Sequence, residues 1–132
     1  MKCFSGTLLL TIGTLAVVGI TGCGPNRTAP VRHDITAAQL QAMMADGQPI
    51  LLIDVRTSTE FAGGRIPGAV NHPLDAIETW SASLDATART VLICKGGVRS
   101  KQAADTLVQK SFASIYNLLG GMDGWTGDVT TG

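Results

Sequence analysis

The chain has 132 residues, balanced at 10 Lys+Arg against 10 Asp+Glu, with an isoelectric point near 6.7. That length accommodates one domain of ordinary size, and the neutral balance argues against a nucleic-acid binder, which needs a broad basic surface. With 45% hydrophobic and only 15% charged residues, the composition also argues against intrinsic disorder.

The charge is unevenly spread, because no charged residue falls between Lys2 and Arg27. Lys2 supplies a short basic start, and residues 4–20 form an uncharged, mostly apolar run that ends at Ile20-Thr21-Gly22-Cys23. A basic start, an apolar stretch and small residues before a cut site describe a secretory signal peptide. The tetrad resembles a bacterial lipobox, which implies cleavage after Gly22 and a diacylglyceryl thioether on Cys23. Residues 1–22 are then a lipoprotein-type signal peptide, and the rest of the chain is exported and membrane-anchored, facing the periplasm or the cell exterior. An uncleaved N-terminal anchor is the alternative, since residues 4–20 are near the lower length limit for spanning. Several acyl chains on one cysteine give stable anchoring where a single chain is reversible. Residues 23–34 carry two prolines and no periodicity, and read as a lipidated, flexible tether. His33 stands alone there, with no second ligand nearby to make a metal site.

Residues 35–132 read as one α/β domain. Thr36 and Gln39 make a capping box, Ile35 and Leu40 a hydrophobic staple, and Gly47 closes the helix they open. Leu40, Met43 and Met44 fall on one face of it and are expected in the core. Residues 50–54 and 90–94 are continuous apolar runs, the pattern of strands covered on both faces, and residues 114–118 are a weaker third. Between the last two, Ala103, Ala104, Leu107 and Val108 make one apolar helical stripe, which completes a parallel strand–helix–strand unit. Gly63, Gly64, Pro67 and Gly68 mark a loop into a short strand at 69–71, and residues 74–86 are expected to be helical in part.

Removal of the signal and lipidation of Cys23 leave Cys94 as the one thiol, in a compartment where cysteines usually pair. Cys94 ends a strand, and Lys95-Gly96-Gly97-Val98 carries the chain to Arg99, where a helix begins. In a parallel sheet, ligands bind beyond the carboxyl ends of the strands. A loop there can turn successive N–H groups inward at a helix N-terminus, and Gly96 and Gly97 permit the positive φ angles this takes. Such a field stabilises a thiolate as well as a bound anion, and Lys95 and Arg99 add cationic charge beside it. The competing reading is an inert structural cysteine in a tight turn.

Four segments now resemble the rhodanese family in order and spacing. They are residues 52–56 (LIDVR), 60–71 (EFAGGRIPGAVN), 94–100 (CKGGVRS) and 120–125 (GGMDGW). The resemblance implies a three-layer, doubly wound α/β domain on a central parallel sheet, and a Cys94 thiol that accepts sulfane sulfur as a persulfide held by the loop amides. It also implies that Asp54 and Arg56 support the wall of the site. Two positions depart from the family pattern. Arg65 stands where many members have histidine, and Glu60 where two-domain thiosulfate sulfurtransferases tend to carry a donor-binding arginine. His72 could join Cys94 in a triad, but a depressed thiol pKa activates the nucleophile without a base, so a structural role is expected. Trp80 and Trp125 are expected in the core or at its rim.

The expected function is a rhodanese-type sulfurtransferase that moves sulfur from a small anionic donor such as thiosulfate to a thiophilic acceptor, with no cofactor and no metal. A non-turnover persulfide carrier for a partner protein is the second reading, and a fold-related phosphatase or arsenate reductase the third. Four residues separate Cys94 from Arg99, against five in the related phosphatases, which leaves less room for a phosphoryl group.

Overall fold

The computed structural model describes residues 29–132; Cys23 and the signal segment lie outside the described residues. Nine main elements follow one another: β1 (Arg32–Ile35), α1 (Ala37–Ala45), β2 (Leu51–Asp54), α2 (Ser58–Ala62), β3 (Val70–Asn71), α3 (Ile77–Ser81), β4 (Thr90–Ile93), α4 (Val98–Gln109) and β5 (Ile115–Leu118). Short 3₁₀ turns occupy Leu74–Ala76 and Gly121–Gly124. The strands form one sheet in the order β1-β5-β4-β2-β3, and every neighbouring pair is parallel.

The apolar runs are uninterrupted because both faces of the sheet are covered. Successive residues of β4 alternate between two cores. Leu92 and Cys94 pack with Ile53, Val55, Ile115 and the helix residues Ala103, Ala104 and Leu107. Val91 and Ile93 pack on the opposite face with Leu52, Leu118, Ile35 and Leu40. Ile53, Leu92, Leu107 and Ile115 are fully buried, each worth roughly 1.5–3 kcal/mol relative to an exposed position. The structure is therefore the expected three-layer α/β domain. Among the described residues no helix is long and apolar enough to cross a membrane.

The capping box forms as the sequence predicts, with Gln39 N–H donating to the Thr36 hydroxyl and Thr36 N–H to the Gln39 side chain. Two expectations are corrected. Met44 is 36% exposed, outside the core in which Leu40 sits. Residues 32–34 belong to a strand, so the tether reading fails at its C-terminal end. β1 pairs with β5 in register, Asp34 opposite Asn117. Its outer residues are polar because it is an edge strand; the backbone ladder fixes it, and Arg32 bonds both Asp34 and Asp105 of α4. His33 stacks near Tyr116, with ring centroids 5.4 Å apart, in keeping with a structural role.

The topology makes one crevice. The chain leaves β2 toward β3 on one side and leaves β4 toward β5 on the other, so the carboxyl ends of β2 and β4 face a switch point. At the β2 side sits a buried ion pair. Asp54 is fully buried and Arg56 6% exposed. Arg56 Nη2 donates to Asp54 Oδ2 at 2.6 Å and to the carbonyl of Gly64 at 2.7 Å, and its Nε donates to Asp54 Oδ1 at 2.9 Å. Asn71 Nδ2 ties the carbonyls of Asp54 and Arg56 at 3.0 and 2.9 Å. These bonds hold the chain after β2 against the loop that enters β3. Arg65, the departure noted in that loop, lies over the Phe61 ring and donates to the Gly132 carbonyl at 2.7 Å, which clasps the C-terminal segment. Removing one partner of a buried pair strands the other, so Asp54→Ala is expected to cost about 3–5 kcal/mol. Urea unfolding checks this; a loss below 1 kcal/mol would contradict it.

Candidate functional site

At the β4 side of the crevice lies Cys94, with 1% of its surface exposed. The loop after it is turned so that its amides point inward, and hydrogen bonds to its carbonyls and a glycine turn hold it there. Met122 N–H donates to the Cys94 carbonyl at 2.8 Å, and Asp123 N–H to the Lys95 carbonyl at 2.9 Å. With the Lys95 carbonyl drawn outward to the 3₁₀ turn after β5, its peptide plane presents the Gly96 N–H toward the sulfur. Gly121 makes this approach possible: a Cβ there would stand 2.3 Å from the Cys94 carbonyl oxygen. Gly97 caps α4 with φ +97°, a left-handed conformation, and its N–H donates to Cys94 Sγ at 3.0 Å. Gly96, expected to need the same freedom, does not adopt a positive φ, and a Cβ on it would meet open space.

Ser100, wholly buried on the first turn of α4, brings its hydroxyl to 3.3 Å from Cys94 Sγ. Burial alone pushes the Cys94 thiol pKa up. The Ser100 hydroxyl and the amides of Ser100, Gly97 and Gly96 outweigh it, so the thiol lies below its usual value.

The two cations expected beside the thiolate are each also paired with a carboxylate; the Arg99 guanidinium is held above its ordinary value by Glu60 first and, to a lesser degree, by the charge on Cys94. Lys95 Nζ bonds Asp123 at 2.8 and 3.1 Å, on the rim. Arg99 makes a bidentate pair with Glu60, Nη1 to Oε2 at 2.9 Å and Nη2 to Oε1 at 2.8 Å. Glu60 is itself pinned by the capping box of α2, accepting from Thr57 N–H at 3.0 Å and from the Thr57 hydroxyl at 3.1 Å. Val98, which the sequence placed in the loop, opens α4 and is 78% exposed. Beside the loop a cavity of about 630 Å³ is walled by Val55, Thr57, Pro73, Leu74, Ile77 and Arg99.

Asp54 and Arg56 stand at the crevice as a closed pair, bonded to each other and to Gly64. His72 is stacked on Trp80, centroids 5.3 Å apart, and among the described hydrogen bonds none joins its ring to Cys94. Trp80 is buried and donates to the Pro73 carbonyl at 2.9 Å, while Trp125 packs on the second core from the rim. Ser100 and the 121–123 turn lie within the 94–100 and 120–125 segments, whose residues by themselves assign neither a role. The adjacent Gly120-Gly121 was the one signal of a close backbone approach.

The Arg99 guanidinium and the Thr57 groups hold the Glu60 carboxyl at about 2, below its ordinary 4.5. A depressed carboxyl pKa stabilises the folded state fully above 4.5, and that contribution is lost as pH falls toward 2. Glu60→Gln is therefore expected to flatten the acid limb of stability between those values, read from urea midpoints against pH. Superimposable profiles would contradict the pairing.

Comparison with known proteins agrees with this geometry. Residues 36–128 match the Rhodanese-like domain family. A "Sulfurtransferase" of Allochromatium vinosum is 33% identical over 93 residues, which cover 70% of this chain and 87% of that one. The uncharacterized protein YqhL of Bacillus subtilis is 41% identical over 78 residues, 59% of this chain and 62% of its own. Among solved structures, a rhodanese-like domain protein from Staphylococcus aureus superimposes with a TM-score of 0.70 at 30% identity, covering 76% of this chain and 98% of that one. On the sheet order, the amide-lined cysteine loop and these relatives together, the chain belongs to the rhodanese-like domain family.

Proposed function

We propose that the chain is a membrane-tethered sulfurtransferase in which Cys94 carries sulfane sulfur, as a persulfide, from an anionic donor such as thiosulfate to a thiophilic acceptor. The observation that carries this reading is a buried sulfur met by amide and hydroxyl donors at the sheet's switch point. Donors of that kind stabilise negative charge on sulfur without a base beside it. The sulfurtransferase among the relatives supports the same class of chemistry.

In the loading step the Cys94 thiolate attacks the outer sulfur of thiosulfate. A new S–S bond forms on Cys94, the donor's S–S bond breaks, and sulfite leaves with the electron pair. The negative charge then rests on the terminal sulfur, within reach of the loop amides. In the discharge step an acceptor, cyanide in an assay, attacks that terminal sulfur; thiocyanate leaves and the thiolate returns. Each step passes one sulfur atom between nucleophiles and calls for no cofactor. Lys95 reaches a dianionic donor by leaving Asp123, an exposed pair worth at most about 1 kcal/mol. Arg99 is held by two bonds to a fixed carboxylate and adds charge to the cavity wall.

Thiosulfate is expected to add one sulfur atom to the intact mass of the wild-type chain, reversibly with cyanide or a reducing thiol, and nothing to Cys94→Ser. Because loading needs the thiolate and Cys94 lies below the usual thiol value, the rate should hold through that usual range and fall only at lower pH. Aryl phosphate hydrolysis should be negligible. Charging without turnover until a protein acceptor is supplied would make the chain a carrier, and phosphatase turnover with no persulfide would overturn the reading.

The tether is proposed from the Ile20-Thr21-Gly22-Cys23 tetrad. Cys23→Ser should release the domain from the membrane fraction or leave a full-length precursor. Acylation and fractionation like the wild type would refute it.

A further inference from the structure

The Ser100 hydroxyl has one proton and two neighbours that want it. Its Oγ lies 3.3 Å from Cys94 Sγ and 2.7 Å from Asn117 Oδ1. Asn117 is 2% exposed, on β5 between β1 and β4, and its carboxamide nitrogen donates to Asp34 Oδ1 at 2.9 Å. That second contact decides the first. A carboxylate only accepts, so the amide nitrogen must face Asp34 and the amide oxygen must face Ser100. The Asn117 amide holds the Asp34 carboxyl below its ordinary range, and Arg32 adds to this, which keeps the carboxylate ionised. The acceptor aimed at Ser100 is therefore fixed in identity and in place.

We propose that Asn117 is a positioning residue that competes with the Cys94 sulfur for the single proton of Ser100, so that the hydroxyl follows the charge on Sγ. While Cys94 is a thiol, the hydroxyl donates to Asn117, its nearer partner, and the S–H can donate to Ser100 Oγ. When Cys94 ionises, the hydroxyl turns to the sulfur and Asn117 Oδ1 is left without a donor in a buried site, a cost charged against the thiolate. When charge moves outward to the terminal sulfur of a persulfide, Sγ becomes a weak acceptor and the hydroxyl goes back. Asn117 thus makes the free thiolate less stable than the loop alone would allow, and relaxes once the sulfur is loaded.

The loaded-state part of this rests on the sulfur-transfer reading; the thiol part does not, and a titration without any donor tests it separately. The charged groups around Cys94 come in pairs: Lys95 with Asp123 from the turn after β5, Arg99 of α4 with Glu60 of α2, Arg56 with Asp54 at the end of β2, and Arg32 with Asp34 beyond Asn117. None is removed by a change at Asn117.

Thiolate absorbance is followed against pH in wild type, Asn117→Val, Ser100→Ala and the double variant. Losing the competitor should raise the Cys94 acid dissociation constant about threefold to tenfold in Asn117→Val, the size of one neutral hydrogen bond. Ser100→Ala should lower it, and in that background Asn117→Val should change nothing. An unchanged or lower constant in Asn117→Val, or the same rise without Ser100, would overturn the proposal. Should Asn117→Val fail to fold, the wild type itself decides: the Asn117 side-chain amide resonance must titrate with the midpoint of Cys94. A resonance flat through that midpoint sinks the idea.

Discussion

A negative charge on a sulfur buried to 1% exposure can survive only if donors replace the water it has lost. In this domain the donors are almost all backbone. The Gly96 amide points at Cys94 because the Lys95 carbonyl of the same peptide is held from behind by Asp123, and the Gly97 and Ser100 amides do so because the loop turns there into α4. Much else answers to this one requirement. Gly121 is needed where the two backbones meet, and Gly97 where the loop turns into α4. β5 must end beside β4 to deliver the turn.

The formal charges around the loop are arranged as closed pairs. Asp54–Arg56 is buried and spends its spare hydrogen bond on Gly64; Arg99–Glu60 is half-exposed and locked to a helix cap; Lys95–Asp123 is open to solvent. The pairs rank by accessibility, and so does the ease with which each cation can exchange its partner for an incoming anion. Pairing moderates the positive charge of the crevice, so the Ser100 hydroxyl and the loop amides lead in holding the Cys94 thiol below its usual value, and the Arg99 guanidinium adds to them. On the proposed sulfur-transfer reading this bears on donor choice, because dipoles accept a singly charged terminal sulfur as readily as part of a larger anion.

The sheet supplies the geometry on which this rests. With β4 central and buried on both faces, the Cys94 end of the strand is held by two cores at once. Ala103 and Ala104 pack α4 against the same core, which holds Ser100 at its first turn beside the sulfur. Packing around an apolar strand thereby fixes the Ser100 hydroxyl to within hydrogen-bond reach of both its acceptors.

Much of this was legible in the residues. The runs at 50–54 and 90–94, the Thr36–Gln39 box, the Ala103–Leu107 stripe and the glycine loop after Cys94 are local patterns, each with a period or spacing that elementary stereochemistry dictates. They determined the α/β class, the two-sided sheet and the candidate nucleophile. What they could not contain is partnership between distant positions. Arg32 to Asp34 looked like linker because a polar edge strand is defined by its neighbour β5, 83 residues further along the chain, and not by its own periodicity. Lys95 and Arg99 looked like free cations because Asp123 and Glu60 come from other elements. Ser100 closes the 94–100 segment without a role there, and Asn117 carries no local signature; only the meeting of α4 with β5 sets one hydroxyl between two acceptors. Local sequence determined the buried elements and where the sulfur stands, while the tertiary structure alone decided the edge strand, which charges are paired and which hydrogen bonds reach the sulfur.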